Sequence, residues 1–265
     1  TWLIKENTRL SFGLSFSLTI YQKEKLSFSF FFYFRCMSLI CRLVIVLAFF
    51  CTPIQNSFSQ HKIDSLRREL SNVSGMARAN ILSELCSEYA YVQADSARLF
   101  GEEALALAGN SPSALRAQIL YNIAITHQVQ SNYSEALQYD EEALAIYQSL
   151  QDSLRVADLL NNIGLIHDEQ GNYALAAEYY QKALSIYQKK ADNKKTALVN
   201  VNLGVVFKAL GDYKSSISNY QEALHEFVKI KDDYLMAVCH VNLGSVYLYS
   251  IDFDSALYHS LKAET

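Results

Sequence analysis

The sequence predicts an all-α solenoid built from antiparallel helix pairs, and three observations support this fold class. The sequence repeats itself with a period of forty residues. Apolar residues within each copy follow the three- and four-residue spacing of an amphipathic helix. Five of the nine glycines fall on repeat positions. Several positions that align across four copies at once indicate a repeat architecture.

The period is clearest at three positions of the repeat. An asparagine followed by an apolar and a small residue occurs at Asn122, Asn162, Asn202 and Asn242. Aromatic residues share a second position, and alanines share a third. These residues are Tyr133, Tyr173, Tyr213 and Phe253, and Ala143, Ala183, Ala223 and Ala263.

Each copy contains two predicted helices, best seen between Leu160 and the linker that ends at Asn193. Leu160, Ile163 and His167 lie on one face of the first helix. Gly171 then interrupts the pattern, because glycine readily adopts the left-handed conformation that ends a helix. The second helix carries Ala176 and Tyr180 on one face. An Asp or Asn in the following linker is expected to cap the next helix.

This pattern resembles the tetratricopeptide repeat, W-x2-L-G-x2-Y…A-x3-F…P. The best match reads Leu160-x2-Ile163-Gly164-x2-His167…Ala176-x3-Tyr180. Copies begin near Leu82, Leu120, Asn200 and His240 with looser matches, and the terminal proline is missing throughout. The resemblance implies a right-handed solenoid of about five repeats over residues 60–265, with the last repeat truncated and residues 62–71 forming a terminal helix. We therefore expect the sequence to be part of a longer protein.

The first sixty residues follow a different pattern. Residues 1–36 are rich in Ser and Phe without helical or alternating period, and we expect them to be translated upstream sequence. Residues 37–59 have the three parts of a signal peptide: a basic start, the apolar run 43–51, and a cleavage site with small residues at its −3 and −1 positions. A membrane anchor over residues 26–51 is the rival, but it would place Arg35 and Arg42 in the bilayer. Export then predicts a periplasmic or outward-facing, membrane-attached location.

Charge and motifs exclude several function classes. Residues 61–265 contain 17 basic and 25 acidic side chains, the wrong sign for nucleic-acid binding. The sequence has no phosphate-binding glycine loop, no H-E-x-x-H and no G-x-S-x-G motif. We expect no catalytic residue, no metal ion and no cofactor. Cys86 and Cys239 are predicted to be small buried residues, and His127 and His167 to pack against a neighbouring helix.

Two acidic clusters are interpreted as structural. Asp140-Glu141-Glu142 is predicted to lie on a solvated helix face. Asp232-Asp233 is predicted to form a capping turn. Neither interpretation leaves a cation site.

The repeated asparagines allow two interpretations. They line the concave groove and hydrogen-bond the backbone of an extended peptide, or they form hydrogen bonds between adjacent repeats. The family resemblance places further first-helix residues on the concave face. The candidate peptide groove comprises Tyr121, Asn122, Ile125, Asn161, Asn162, Leu165, Leu198, Val201, Asn202, Val205, Lys208, Val241, Asn242 and Leu248.

The composition of this groove predicts its ligand class. Lys208 is the one basic residue among its predicted concave positions, so we expect no clamp for a terminal carboxylate. The groove becomes apolar toward its C-terminal end. An amphipathic helix of a partner would fit there, and so would downstream repeats of the same protein.

The predicted function is therefore that of a protein–protein interaction scaffold. The combination of export signal and repeats resembles the sensor half of bacterial signalling proteins such as sensor histidine kinases, which implies a ligand or protein partner and a downstream output domain. A membrane contact would come only from a downstream segment. The alternatives are a free-standing exported adaptor, and the non-catalytic part of a histidine kinase or nucleotide cyclase.

Overall fold

The computed structural model describes residues 60–264, and every element in this range is helical. The expectations for residues 1–36 and 37–59 lie outside the described residues. The helices are α1 (60–70), α2 (Gly75–Tyr89), α3 (Ala94–Ala108), α4 (Ala114–Val129), α5 (Tyr133–Ser149), α6 (Ser153–Glu169), α7 (Tyr173–Lys189), α8 (Asn193–Ala209), α9 (Tyr213–Ile230), α10 (Asp233–Tyr249) and α11 (Phe253–Lys262).

The helices from α2 onward form five consecutive pairs, as the period of forty predicts. Each helix packs against the next one along the chain, and first helices also contact first helices of neighbouring pairs. This is the predicted solenoid of antiparallel helix pairs. Between residues 60 and 264, no helix is both long and apolar enough to cross a membrane.

Aspartates begin most of the later helices. Asp192 precedes α8, and its carboxylate accepts a hydrogen bond of 3.0 Å from the backbone N–H of Lys195. Asp152, Asp212, Asp232 and Asp252 make the same contact at α6, α9, α10 and α11. Each such bond satisfies one of the donors that a helix N-terminus leaves free. The predicted capping turn at Asp232 is thus confirmed.

The turns between helices need a left-handed residue, and glycine supplies only some of them. Gly171 and Gly211 have φ values of 76° and 79°. The equivalent residues in the neighbouring pairs are Ser131 and Ile251, with φ values of 60° and 63°. The backbone turn is therefore kept where the glycine is not.

The core extends within and between the pairs, and it depends on matched side-chain volumes. Tyr180 and Tyr220 are fully buried. A Cβ atom on Gly164 would lie 2.8 Å from the Tyr180 ring, and one on Gly204 would lie 2.7 Å from the Tyr220 ring. Such distances are shorter than van der Waals contact, so the bare glycine backbone makes room for each ring.

At the N-terminal end, α1 contributes Ile63 and Leu66 to the first core cluster. Both side chains are buried together with Leu82, Leu85 and Ala104 of α2 and α3. Lys62 forms an ion pair of 2.6 Å with Glu88. The first helix therefore covers apolar surface that α2 and α3 would otherwise expose.

Candidate peptide-binding groove

The predicted groove residues lie at matching register positions on α4, α6, α8 and α10. We call their set the groove face. It is formed by first helices of consecutive pairs, so a residue and its equivalent forty positions later occupy neighbouring helices. The structure places these residues at different depths, which separates those that a ligand can reach from those that hold the repeats together.

The repeated asparagines mostly bond to the preceding repeat. The Nδ2 atom of Asn122 donates to the backbone oxygen of Ser83 at 2.8 Å, and that of Asn162 donates to Asp140 at 2.7 Å. Asn202 donates to Oδ1 of Asn161 at 3.1 Å. Asn242 instead donates to Val238 within its own helix.

Burial separates the first two repeated asparagines from the last two. Asn122 and Asn162 are buried, with 5% and 6% of their surface exposed. Asn161, Asn202 and Asn242 are half-buried. In this structure the first two asparagines serve contacts between repeats, so a ligand would meet Asn161, Asn202 and Asn242 more readily.

A polar cluster outside the predicted groove residues centres on Asp158, a residue of α6. Its Oδ1 atom accepts hydrogen bonds of 2.6 Å from the hydroxyl of Tyr187 and from Nζ of Lys195. Arg155 lies 3.5 Å from the other oxygen. Burial and these hydrogen-bonded surroundings raise the pKa of Tyr187. The carboxylate is thus already paired, and it fixes α6 to α7 and α8.

Tyr187 and Lys195 are absent from the predicted groove because neither is on the predicted face of a first helix. The period does place Tyr187 at the same position as Tyr147 and Phe227. That equivalence indicates a core aromatic residue, and the polar contact with Asp158 adds to it. Tyr121 lies near this network, where burial and the charges of Asp140 and Asp158 raise its pKa.

The apolar part of the groove face lies on α8 and α10. Leu198 and Val241 expose 37% and 45% of their surface. Val201, Val205 and Leu248 are half-buried, and the two valines also contact the core cluster around Tyr220 and Leu243. Nζ of Lys208 is 3.4 Å from Oγ of Ser245, so this lysine spans the two helices.

Toward the N-terminal side, three predicted groove residues mainly support the core. Ile125 packs against the first core cluster, Tyr121 against the cluster of α4 and α5, and Leu165 against that of α6, α7 and α8. All three remain half-buried. The accessible apolar surface of the groove face is therefore concentrated on α8 and α10.

The interpretation of the cluster at 140–142 as a solvated helix face is wrong at one of its three residues. The sequence predicts a solvated helix face at Asp140, but this side chain is fully buried. It occupies the position that Tyr180 and Tyr220 fill in the next two pairs. Burial raises the pKa of Asp140 to about 7, and the hydrogen bond from Asn162 only partly opposes this rise.

His127, His167 and the two cysteines are packed residues. His127 stacks on Tyr139 and His167 on Tyr179, with ring centroids 5.4 and 5.5 Å apart. Cys86 and Cys239 are buried free thiols, and desolvation raises the pKa of each. Within residues 60–264, no three His, Cys, Asp or Glu side chains converge as a metal site would require.

A second depression lies away from the groove face, between α5 and α7. Its volume is about 750 Å³. It contains none of the predicted groove residues, and its lining includes Leu144, Leu160, Tyr179 and Lys182. Lys182 pairs with Glu178 at 2.6 Å and lies 4.8 Å from the Tyr179 ring centroid. The lysine of this depression is thus already engaged by its neighbours on α7.

Comparison with known families identifies the repeat. Residues 115–189 and residues 197–224 both match models described as tetratricopeptide repeat. These segments extend from α4 to α7 and from α8 into α9. The chain therefore carries tetratricopeptide repeats, and the pairs α2–α3 and α10–α11 continue the same arrangement outside the matched segments. Comparison with curated protein sequences gives no match.

Solved structures show the same fold. BtubC (BKLC) from P. vanneervenii is 22% identical, with a TM-score of 0.66 over 78% of this chain and 87% of that one. A Rap protein complexed with Competence and Sporulation Factor is 15% identical, with a TM-score of 0.62 over 80% and 71%. At these identities the likeness concerns the fold alone.

A third similar structure comes from a larger protein. It is a Signal Transduction ATPase with Numerous Domains from Pyrococcus horikoshii, which has a tetratricopeptide repeat sensor. Its identity is 17% and its TM-score 0.68, over 78% of this chain but only 32% of that one. This chain thus matches about a third of that protein.

Proposed function

We propose that the array binds a peptide or protein segment on its groove face and acts as the input region of a signal-transduction protein. Tetratricopeptide repeats suggest a protein-interaction scaffold. The observation that supports this proposal most directly is a partly exposed apolar stripe on α8 and α10. It is formed by Leu198, Val201, Val205, Val241 and Leu248. The array has no catalytic role in this function.

The stripe suits one face of an amphipathic helix. A helix in a groove presents apolar anchors at three- and four-residue spacing. Leu198 and Val241 are exposed enough to contact such anchors, and the half-buried Val201 and Val205 would form the floor. Asn161, Asn202 and Lys208 offer polar contacts at the edge of the stripe.

A regulatory role draws support from two of the structural relatives. One is named as a tetratricopeptide repeat sensor within a signalling ATPase, and another is complexed with a factor. The N-terminal sequence pattern supports export, so the proposed ligand would be met outside the cytoplasmic membrane. Sequencing the gene beyond codon 265 tests the proposed role as the input region of a signalling protein. An output domain after a membrane segment supports an input role, whereas a stop codon after one capping helix contradicts it.

Peptide selection tests the groove directly. Peptides selected from a random library on the wild-type chain should lose at least tenfold in affinity when Val241 or Leu198 is replaced by aspartate, because a carboxylate would be desolvated against an apolar ligand. The matched control is Leu150→Asp, since Leu150 lies outside the groove face and is also 45% exposed. Fluorescence anisotropy measures the affinities. Equal loss in Leu150→Asp and Val241→Asp would contradict groove binding.

A further inference from the structure

Two histidines face each other between the last two helices, outside the groove face. The Nδ1 atoms of His240 on α10 and His259 on α11 are 2.8 Å apart. The ring centroids are 5.1 Å apart, with the planes tilted by 34°. Since only one ring can donate the shared hydrogen, at least one Nδ1 atom presents a lone pair toward the other.

In the other repeats, both residues at the positions equivalent to this pair are different. The two positions hold Leu120 with Tyr139, Leu160 with Tyr179, Asn200 with Asn219, and His240 with His259. At positions 120 and 139, and again at 160 and 179, the leucine and the tyrosine belong to the same apolar cluster. The fold therefore accepts an apolar pair at this place, and two histidines are not needed for packing.

The surroundings hold the imidazoles in position. The ring of Tyr247 stacks on His259 with an interplanar angle of 8°, and Tyr258 meets the same ring edge-on. Burial lowers the pKa of both histidines, with smaller contributions from Lys262 for His240 and from His240 for His259. Both rings are therefore neutral near pH 7, the form in which imidazole binds a metal.

We propose that His240 and His259 form a two-histidine site for a borderline transition-metal ion such as Zn²⁺, Ni²⁺ or Cu²⁺, which fastens α11 to α10. Imidazole nitrogen suits these ions. Metal–nitrogen bonds of about 2.0–2.1 Å in a tetrahedral site put two ligand atoms about 3.4 Å apart. The observed separation of 2.8 Å thus requires the rings to move apart by only about half an ångström.

The rest of the coordination shell would be water. Around this pair, no third His, Cys, Asp or Glu among residues 60–264 completes a cluster, so the site is weaker than a three- or four-ligand site. Binding requires no net loss of a proton from the protein. The shared hydrogen leaves Nδ1 of the donating ring, and that ring carries it on Nε2 instead.

Thermal unfolding of the untagged full chain tests the site. Adding NiCl₂ or ZnCl₂ should raise the unfolding temperature by a few degrees, because an ion that binds only the folded state stabilises it. MgCl₂ at the same concentration should have no effect, because Mg²⁺ prefers oxygen ligands. Chelation should reverse the shift.

Two double variants distinguish binding at this pair from metal binding elsewhere on the chain. His240→Leu with His259→Tyr restores the pair found at 160 and 179, and His240→Asn with His259→Asn restores the pair found at 200 and 219. Both should fold, as circular dichroism will check, and both should lose the metal-induced shift. His225→Asn, which changes a histidine elsewhere on the array, should keep it.

The outcomes that overturn the proposal are distinct. A shift that persists in both double variants places the metal elsewhere. No shift in the wild type, together with a loss of stability below pH 6 that both double variants lack, makes the pair a proton-sensitive contact only. No response to metal or to pH makes it a packing contact.

Discussion

The pair α4–α5 and the two pairs that follow it share a backbone but fill the same place differently. In α6–α7 and α8–α9, a buried tyrosine packs on a glycine, Tyr180 on Gly164 and Tyr220 on Gly204. In α4–α5, the equivalent residues are Asp140 and Ala124, both fully buried. The repeat thus keeps its helix positions while it exchanges an aromatic ring for a carboxyl group.

The free-energy cost of a carboxyl group at this position depends on whether that group is protonated. A tyrosine ring contributes apolar burial at any neutral pH. The carboxyl of Asp140 is stabilised by a hydrogen bond of 2.7 Å from Asn162, and burial disfavours its charged form. Equivalent positions of one array therefore respond differently to a change in pH.

The largest expected effect is the loss of a ring. Tyr180→Ala should lower the free energy of unfolding by about 3–5 kcal/mol, because it leaves a large cavity between helices. Ser260→Ala at the equivalent position of the last pair should cost under about 1 kcal/mol, because it removes one hydroxyl hydrogen bond. Urea unfolding monitored by circular dichroism gives both values. Similar losses for the two variants would show that the ring does not carry the packing.

The next effect concerns Asp140 and depends on pH. Its folded-state pKa of about 7 lies above the value of an unfolded aspartate, so the folded state holds the proton more tightly. Wild-type stability should therefore decline as pH rises from about 4 to 7 and then level off. Asp140→Asn removes this decline and should be more stable than the wild type at pH 8, by an amount on the order of 4 kcal/mol.

The control for this prediction is Asp254→Asn, which changes an exposed carboxylate on α11. The difference in stability between wild type and Asp140→Asn should vary with pH, and more steeply than the difference produced by the same change at the exposed position. A pH-independent difference at position 140 would show that its carboxyl titrates normally.

Substitutions of the glycines test the same contact between the glycine backbone and the tyrosine ring. Gly204→Ala should cost about 1–3 kcal/mol, because its Cβ would meet the Tyr220 ring. Gly244→Ala should be neutral or slightly stabilising, since the nearest atom is the Oγ of Ser260 at 3.2 Å and alanine favours a helix. Thermal unfolding of the two variants checks the contrast. A loss at position 244 as large as that at 204 would rule out the tyrosine contact as the cause.

The smallest effect is expected in the turns. Ile251 is a β-branched residue at a φ of 63° and is 74% exposed, where the equivalent turns have Gly171 and Gly211. Ile251→Gly should stabilise the chain by about 1 kcal/mol, because the left-handed conformation costs isoleucine roughly that much. Gly211→Ile should destabilise it. Unfolding temperatures that move in the reverse directions would contradict this role of the turn residues.

The sequence predicts the regular part of this molecule well and the exceptions poorly. Positions that recur every forty residues, such as Ala183 and Gly204, predict the helix pairs because each copy repeats the same apolar face. The contact of Asp140 with Asn162 joins residue types that the next copies do not pair in this way, so periodicity carries no signal for it. The turn at Ile251 is kept because the flanking helices require it.

The sequence predicts which helix positions belong to the groove face, but it predicts poorly how far each side chain is exposed. Sequence spacing places Asn122 and Val241 on first helices of the array, but the first is buried and the second is exposed. Depth depends on what the neighbouring helix supplies. Ser83 reaches Asn122, whereas Val241 keeps nearly half of its surface open. Neighbours of this kind come from the three-dimensional packing and not from the period.

The central claim is that ligands bind on the groove face, and methyl NMR tests it most directly. The chain is labelled at Leu and Val methyl groups and titrated with a peptide selected on the wild type. Groove binding predicts chemical-shift changes at Leu198, Val201, Val205, Val241 and Leu248, with Leu150 and Val228 unchanged. Changes confined to Leu144 and Leu160, which line the depression between α5 and α7, would contradict it.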